Sequence, residues 1–255
     1  MGSIFALIMS DKLHIDSVRN VLIRLEETII FALIERGQFM QNRVIYDPGR
    51  FGSVLEGESL VGFMLLETER SHAKVRRYSG SEEHPFFDNL PQPILPPLHI
   101  SDNPIRENNI NINRTIRRIY ENDIVNHICA EGDDNEYGSS AVCDVSCLQS
   151  ISKRIHYGKF VAESKFRKAG NALLNAINNC DKEAIMSSIT DDSVEAAVLK
   201  RVSSKAHTYT QELAGTSAAF TVDPETVVDI YRKWIIPLNK QVQVEYLLQS
   251  CANHQ

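Results

Sequence analysis

The chain has no glycine-rich phosphate loop and no Ser–His–Asp signature, which removes the familiar nucleotide-binding and covalent-hydrolase readings. It has no internal repeat, no low-complexity tract and no segment patterned as a strand. Cysteine is sparse: five in 255 residues, an odd number and no disulfide framework. Cys143 and Cys147 stand one helical turn apart without a second pair at finger-like spacing, so buried thiols in a reducing compartment are expected. No apolar run is long enough to cross a membrane. The short run at residues 4–9 has no basic residue before it and no small-residue cleavage site after it, which argues against a secretory signal. A net charge of −6 argues against a general nucleic-acid binder and leaves room for a local basic pocket. The acidic turn with Asp133, Asp134 and Glu136 offers hard oxygen ligands but has no partner motif elsewhere, so no metal and no cofactor is expected.

What is present reads as helix. With 43% hydrophobic and 24% charged residues, the chain is an ordinary globular sequence that can bury a large core, expected as one unit over 1–255. The organising stretch is CDVSCLQSISKRIHYGKFVAESKFRK, residues 143–168, predicted as one long helix from apolar residues at three- and four-residue steps. Within it Arg154, Gly158, Val161 and Lys165 follow at steps of four, three and four. At about 100° per residue they share one stripe, with the two cations about 16 Å apart along the axis. Small or apolar residues lie between them, which suits a pocket wall gripping a compact, multiply anionic ligand. Ordinary solvated charges on an amphipathic helix are the competing explanation.

Elsewhere, a first helix is predicted from an N-cap at Asp16 or Ser17 to Arg36, with Arg19 in its first turn and Glu26, Glu27 and Arg24 on a solvated face. A second runs over 59–77 and ends in Lys74, Arg76 and Arg77, cations that a last turn favours in any case. Residues 80–110 form a proline-rich crossover whose Phe86, Phe87, Ile94 and Leu95 should pack on the body. A third helix covers 113–129, and Gly138 and Ser139 fit the cap before the central helix. Short helices follow near 169–178 and 181–188. The next, over 192–209, carries Glu195 in its first turn and turns Val194, Ala197, Val198 and Val202 inward. After the loop ELAGTSAAFT, the last helix starts at Asp223-Pro224-Glu225, with a kink expected at Pro237. Asn239 and Gln243 share one of its faces, and buried amides there either tie helices together or face a ligand.

At CLQSISKRIHYGKFVAESKF the sequence resembles the eukaryotic, all-helical (AroQ-type) chorismate mutases of fungi and plants. VRNVLIRLEETIIFALIER, HAKVRRYSGSEEHPFF, GDDNEYGSSAVCDVSCLQ and WIIPLNKQVQVEYLL match further stretches in the same order. YDP, EEHPFFDNLPQPILPPL and GSSAVCD look most like the plant enzymes. The resemblance implies an all-α homodimer that rearranges chorismate to prephenate by an intramolecular Claisen reaction, without a nucleophile, metal or proton shuttle. It implies catalytic helices at 12–36, 143–168, 192–209 and 223–250, and a regulatory and dimer region at about 59–142. By the same resemblance, Arg19 and Arg154 hold the substrate carboxylates, Lys165 and Gln243 donate to the ether oxygen, and Glu195 accepts the ring hydroxyl. Asn239 stands where the family usually has Thr contacting a carboxylate. Gln243 stands where fungal members have Glu; an amide donates at any pH, so no alkaline loss of activity is expected from that position. Effector sites for tryptophan, tyrosine or phenylalanine are implied at Arg76 and Arg77 of one subunit and Gly138, Ser139 and Val142 of the other. Val142 replaces a fungal Thr, which implies altered selectivity, and Gln249 and Ser250 replace a usual pair of arginines. Without a transit peptide a cytoplasmic protein is expected; a plastid enzyme trimmed of its leader would read the same. Two other classes are a non-catalytic helical dimer sensing aromatic amino acids and an isoprenoid-type all-α enzyme. The latter would need two aspartate-rich metal motifs.

Overall fold

The structure is a computed structural model, and it describes residues 13, 15–55, 57–97, 104–214 and 222–252. Among these residues no strand occurs. The principal helices are α1 (Ile15–Arg36), α2 (Leu60–Lys74), α3 (Asn113–Ile119), α4 (Val125–Ile128), α5 (Tyr137–His156), α6 (Gly158–Arg167), α7 (Asn171–Asn178), α8 (Lys182–Ile189), α9 (Asp192–Ala214), α10 (Pro224–Ile230) and α11 (Ile236–Ala252). The apolar run at 4–9 and the cap of α1 lie outside the described residues. Because α1 is already helical at Ile15, Asp16 and Ser17 belong to its first turn rather than to its cap.

Helix starts follow the chemistry of their first residues. Ser59 caps α2 by accepting from the Gly62 N–H at 3.0 Å, Asp181 caps α8 by accepting from Ala184, and Asp223 caps α10 ahead of Pro224. Before α5 the N-cap is Glu136, so Gly138 and Ser139 belong to the first turn of the helix rather than to its cap. Asp134 of the acidic turn is engaged by Met40 N and Asn42 Nδ2 at 2.8 and 2.7 Å, a structural clamp on the loop after α1.

The predicted single helix over 143–168 is two helices, and its first part begins earlier, at Tyr137. The break is at Tyr157, where ψ falls to −12°. Gly158 then lies so close to α11 that a Cβ there would meet the Asn239 carbonyl at 2.7 Å. Periodicity alone does not see this break, because α6 resumes with nearly the same face turned inward. At Pro237 the predicted kink takes the form of a π-turn at Tyr231–Ile235, in which the Ile236 N–H reaches the Tyr231 carbonyl. The wider turn absorbs the donor that proline lacks. A second π-turn, Tyr120–Ile124, joins α3 to α4.

The core is the interface of α1 with α5 and of α11 with α6; α9 closes against α1 and α10, and α7 and α8 lie on α11. At the inner end of α1, Arg36 donates to Asp144 at 2.7 Å, and Tyr46 and Tyr120 add bonds to the same carboxylate. All these side chains are buried or nearly so, and they fix α1 to α5. In the crossover Phe86 and Phe87 pack on the core as expected, whereas Ile94 and Leu95 are exposed at 75% and 40%. Cys129 and Cys147 are buried free thiols, Cys143 is half-buried, and Cys180 is exposed, contrary to the expectation for buried thiols. No helix among the described residues is long and apolar enough to cross a membrane.

Candidate active site

Four helical segments — α1, the α5–α6 pair, α9 and α11 — enclose a cavity of about 450 Å³. Each presents one stripe. From α1 come Ile15, Arg19, Leu22 and Glu26; from α5 and α6, Arg154, Val161 and Lys165; from α9, Val194, Glu195, Val198 and Arg201; from α11, Ile236, Asn239, Lys240 and Gln243. All six residues assigned to the site by resemblance therefore line one cavity. Val194 and Ala197 are more exposed than predicted, because they face this open cavity instead of the core.

Arg154 is the unusual group. It is 5% exposed, and among the described residues it has no ion pair; its Nε lacks any hydrogen-bond partner. Burial pushes its pKa below the ordinary arginine value, partly offset by Tyr231 and Glu26. A buried cation without a counter-charge costs several kcal/mol, and a bound anion would relieve that cost. Arg19 is half-exposed, and among the described residues its one ion pair is with Asp16 of its own helix at 3.2 Å, a contact that is cheap to exchange.

Lys165 donates to the Ile189 carbonyl at 2.5 Å and to Gln243 Oε1 at 3.2 Å. Burial lowers its pKa to about 8. Gln243 Nε2 donates to Asn239 Oδ1 at 2.9 Å, and Asn239 Nδ2 donates to the carbonyls of Arg154 and Ile155, each at 3.1 Å. Glu195 accepts from Lys240 at 2.8 Å.

Among the lining residues that sequence did not assign to a site are Glu26, Arg201 and Lys240. Glu26, expected on a solvated face, is fully buried and bonds Arg201 through both oxygens at 3.0 and 3.3 Å. Lys240 completes the set. The four-three-four spacing that linked Arg154 to Lys165 also links Ile15, Arg19, Leu22 and Glu26, so the signal for Glu26 was there to be read.

The effector residues implied by resemblance lie outside this cavity. Arg76 has a left-handed backbone, φ 67°, and bonds the Pro96 carbonyl; Arg77 pairs with Glu83 and contacts His72. Gly138, Ser139 and Val142 are exposed at the start of α5, with Val142 at 52%.

The family profile described as chorismate mutase type II matches residues 137–244, which carry five of the six assigned residues. Chorismate mutase 1, chloroplastic, of Arabidopsis thaliana is 45% identical, the match covering 94% of this chain and 75% of that protein. The chain belongs to the chorismate mutase family. Its fold matches the crystal structure of a Candida albicans chorismate mutase in complex with L-Trp, with a TM-score of 0.87, 37% identity and coverage of 93% and 91% of the two chains. It also matches a chorismate mutase structure with tyrosine bound in its allosteric site, with a TM-score of 0.83, 46% identity and coverage of 94% and 98%. As a chorismate mutase it is an isomerase that rearranges chorismate to prephenate in aromatic amino acid biosynthesis.

Proposed function

We propose that the cavity between α1, α5–α6, α9 and α11 is where chorismate rearranges, and that the buried, unpaired guanidinium of Arg154 anchors one carboxylate of the dianion. That single observation carries the assignment, because a buried cation without a protein partner is costly unless an anion completes it. Arg19 closes on the other carboxylate by leaving Asp16. In the reaction an ether C–O bond breaks as a C–C bond forms within the same molecule, so no atom enters or leaves. The protein's part is to hold the folded conformer and to meet the charge growing on the ether oxygen. Lys165 and Gln243, 3.2 Å apart, are the two donors aimed at that oxygen. Glu195, oriented by Lys240, accepts the ring hydroxyl.

The regulatory reading concerns residues 59–142. The relatives holding L-Trp and tyrosine support aromatic amino acid effectors here too, bound between Arg76 and Arg77 of one protomer and Gly138, Ser139 and Val142 of its partner. The exposure of Val142, Ile94 and Leu95 in the single chain agrees with a homodimer that covers them. The whole unit is assigned to 1–255, acting in the cytoplasm. The direct test is loss of chorismate absorbance on adding purified protein. Turnover that survives EDTA supports the reading, and no turnover rejects it.

A further inference from the structure

We infer that Asn239 is a positioning residue, which locks the Gln243 amide with its N–H toward the cavity and ties that amide to the helix break beside Arg154. The inference rests on the cavity being the chorismate site.

Asn239 Nδ2 faces two main-chain carbonyls, of Arg154 and Ile155, at 3.1 Å each. Carbonyls only accept, so this end of the amide must be NH2, and both its protons are used. Its Oδ1 therefore faces Gln243, and only Gln243 Nε2 can supply the proton for the 2.9 Å contact. Gln243 Oε1 is then left toward Lys165, whose ammonium only donates, at 3.2 Å. Two ends of fixed polarity thus orient both amides with no freedom to flip. One Nε2 proton of Gln243 goes to Asn239; the other is available to the cavity that Gln243 lines.

The lock matters most during turnover. If the Lys165 ammonium swings away from Gln243 Oε1 toward the substrate, Gln243 loses one of its two restraints, and Asn239 is the one that remains. The arrangement also needs Gly158, since a Cβ there would meet Asn239 Nδ2 at 2.9 Å and its carbonyl at 2.7 Å. Asn239, 7% exposed, has no N–H left for a substrate carboxylate. The role implied for this position by resemblance is thereby replaced: Asn239 acts on the ligand through Gln243 and Arg154.

The test is a double-mutant cycle read as kcat and KM for chorismate. Asn239→Ala should lower kcat about tenfold or more and change KM less than about threefold. Combined with Gln243→Ala, it should add almost nothing to the loss from Gln243→Ala alone, since the two act as one unit. Asn239→Thr, which keeps one donor and one acceptor, should recover part of the rate, and Gly158→Ala should reproduce the loss of kcat. A KM raised about tenfold or more by Asn239→Ala, with its effect adding in full to that of Gln243→Ala, would overturn the inference and make Asn239 a direct ligand. A parent protein without turnover would instead remove the cavity assignment, and this inference with it.

Discussion

Glu26 gives both carboxylate oxygens to Arg201, at 3.0 and 3.3 Å, and in doing so leaves the neighbouring Arg154 without a carboxylate of its own. One buried acid thus stands among cations from α5 and α9, with Lys205 adding a third at 3.7 Å. The imbalance sets the cavity to take a negative ligand. Replacing Glu26 by Gln should destabilise the fold by about 3 kcal/mol, because guanidiniums then face each other without the acid between them. That corresponds to a fall of about 8 °C in Tm for a chain of this size. Chorismate or a dicarboxylate analogue should restore part of the loss by replacing the missing charge. An unchanged Tm would show that Glu26 compensates nothing.

The pH profile should be governed by Lys165. Its donor form is the protonated one, and burial brings its pKa down to about 8. In the free enzyme kcat/KM should therefore fall as pH rises through about 8, approaching tenfold per unit. The Gln243 amide adds no alkaline loss of its own, so this limb belongs to the lysine. A bound dianion favours the ammonium, so the limb in kcat should lie at higher pH than the limb in kcat/KM. The sign for stability is opposite. An unfolded lysine titrates near 10.4, so between about 8 and that value the unfolded chain binds the extra proton, and this site's contribution to stability rises with pH. A rate constant that stays flat to pH 10, with the fold intact, would remove Lys165 from the donor role.

Gln243→Glu should add a second, more acidic limb. Only a protonated carboxyl donates to the ether oxygen, so activity should decline as that group ionises, while the parent holds its rate until the lysine titrates. Superimposable profiles for parent and variant would mean that position 243 does not face the reacting oxygen.

For the effector region, saturating tryptophan, tyrosine and phenylalanine should each be assayed against the parent and Val142→Thr. We expect the parent to respond to at least one, and the hydroxyl of the variant to change the ranking by severalfold. Sedimentation should give a dimer in both. A rate indifferent to all three amino acids in a dimeric parent would reject the effector assignment.

Much of this was legible in the chain because the fold repeats one device. Apolar residues at three- and four-residue steps marked every long helix, and the same spacing placed Arg154 with Lys165 and Asn239 with Gln243 on cavity-facing stripes. Two kinds of feature escaped. The break at Tyr157 is tertiary in origin: it depends on Gly158 meeting Asn239 from a helix about 80 residues away, which no local pattern encodes. The burial of Glu26 was misread because, viewed locally, Glu26 and Glu27 look alike beside Arg24. The four-three-four stripe through Ile15, Arg19 and Leu22 picks out Glu26 over Glu27, and the approach of Arg201 from α9 supplies the partner that makes its burial tolerable. The expectation that Ile94 and Leu95 pack inward failed because apolar character alone does not decide burial: a large share of any folded surface is apolar.

The most direct test compares the parent with Arg154→Ala for kcat/KM on chorismate and for Tm, measured side by side. We expect a loss of at least about 10²-fold in kcat/KM with a Tm that is not lowered, because the substitution deletes both the ligand's anchor and a buried charge that has no ion pair among the described residues. Near-parental turnover in the variant would contradict it.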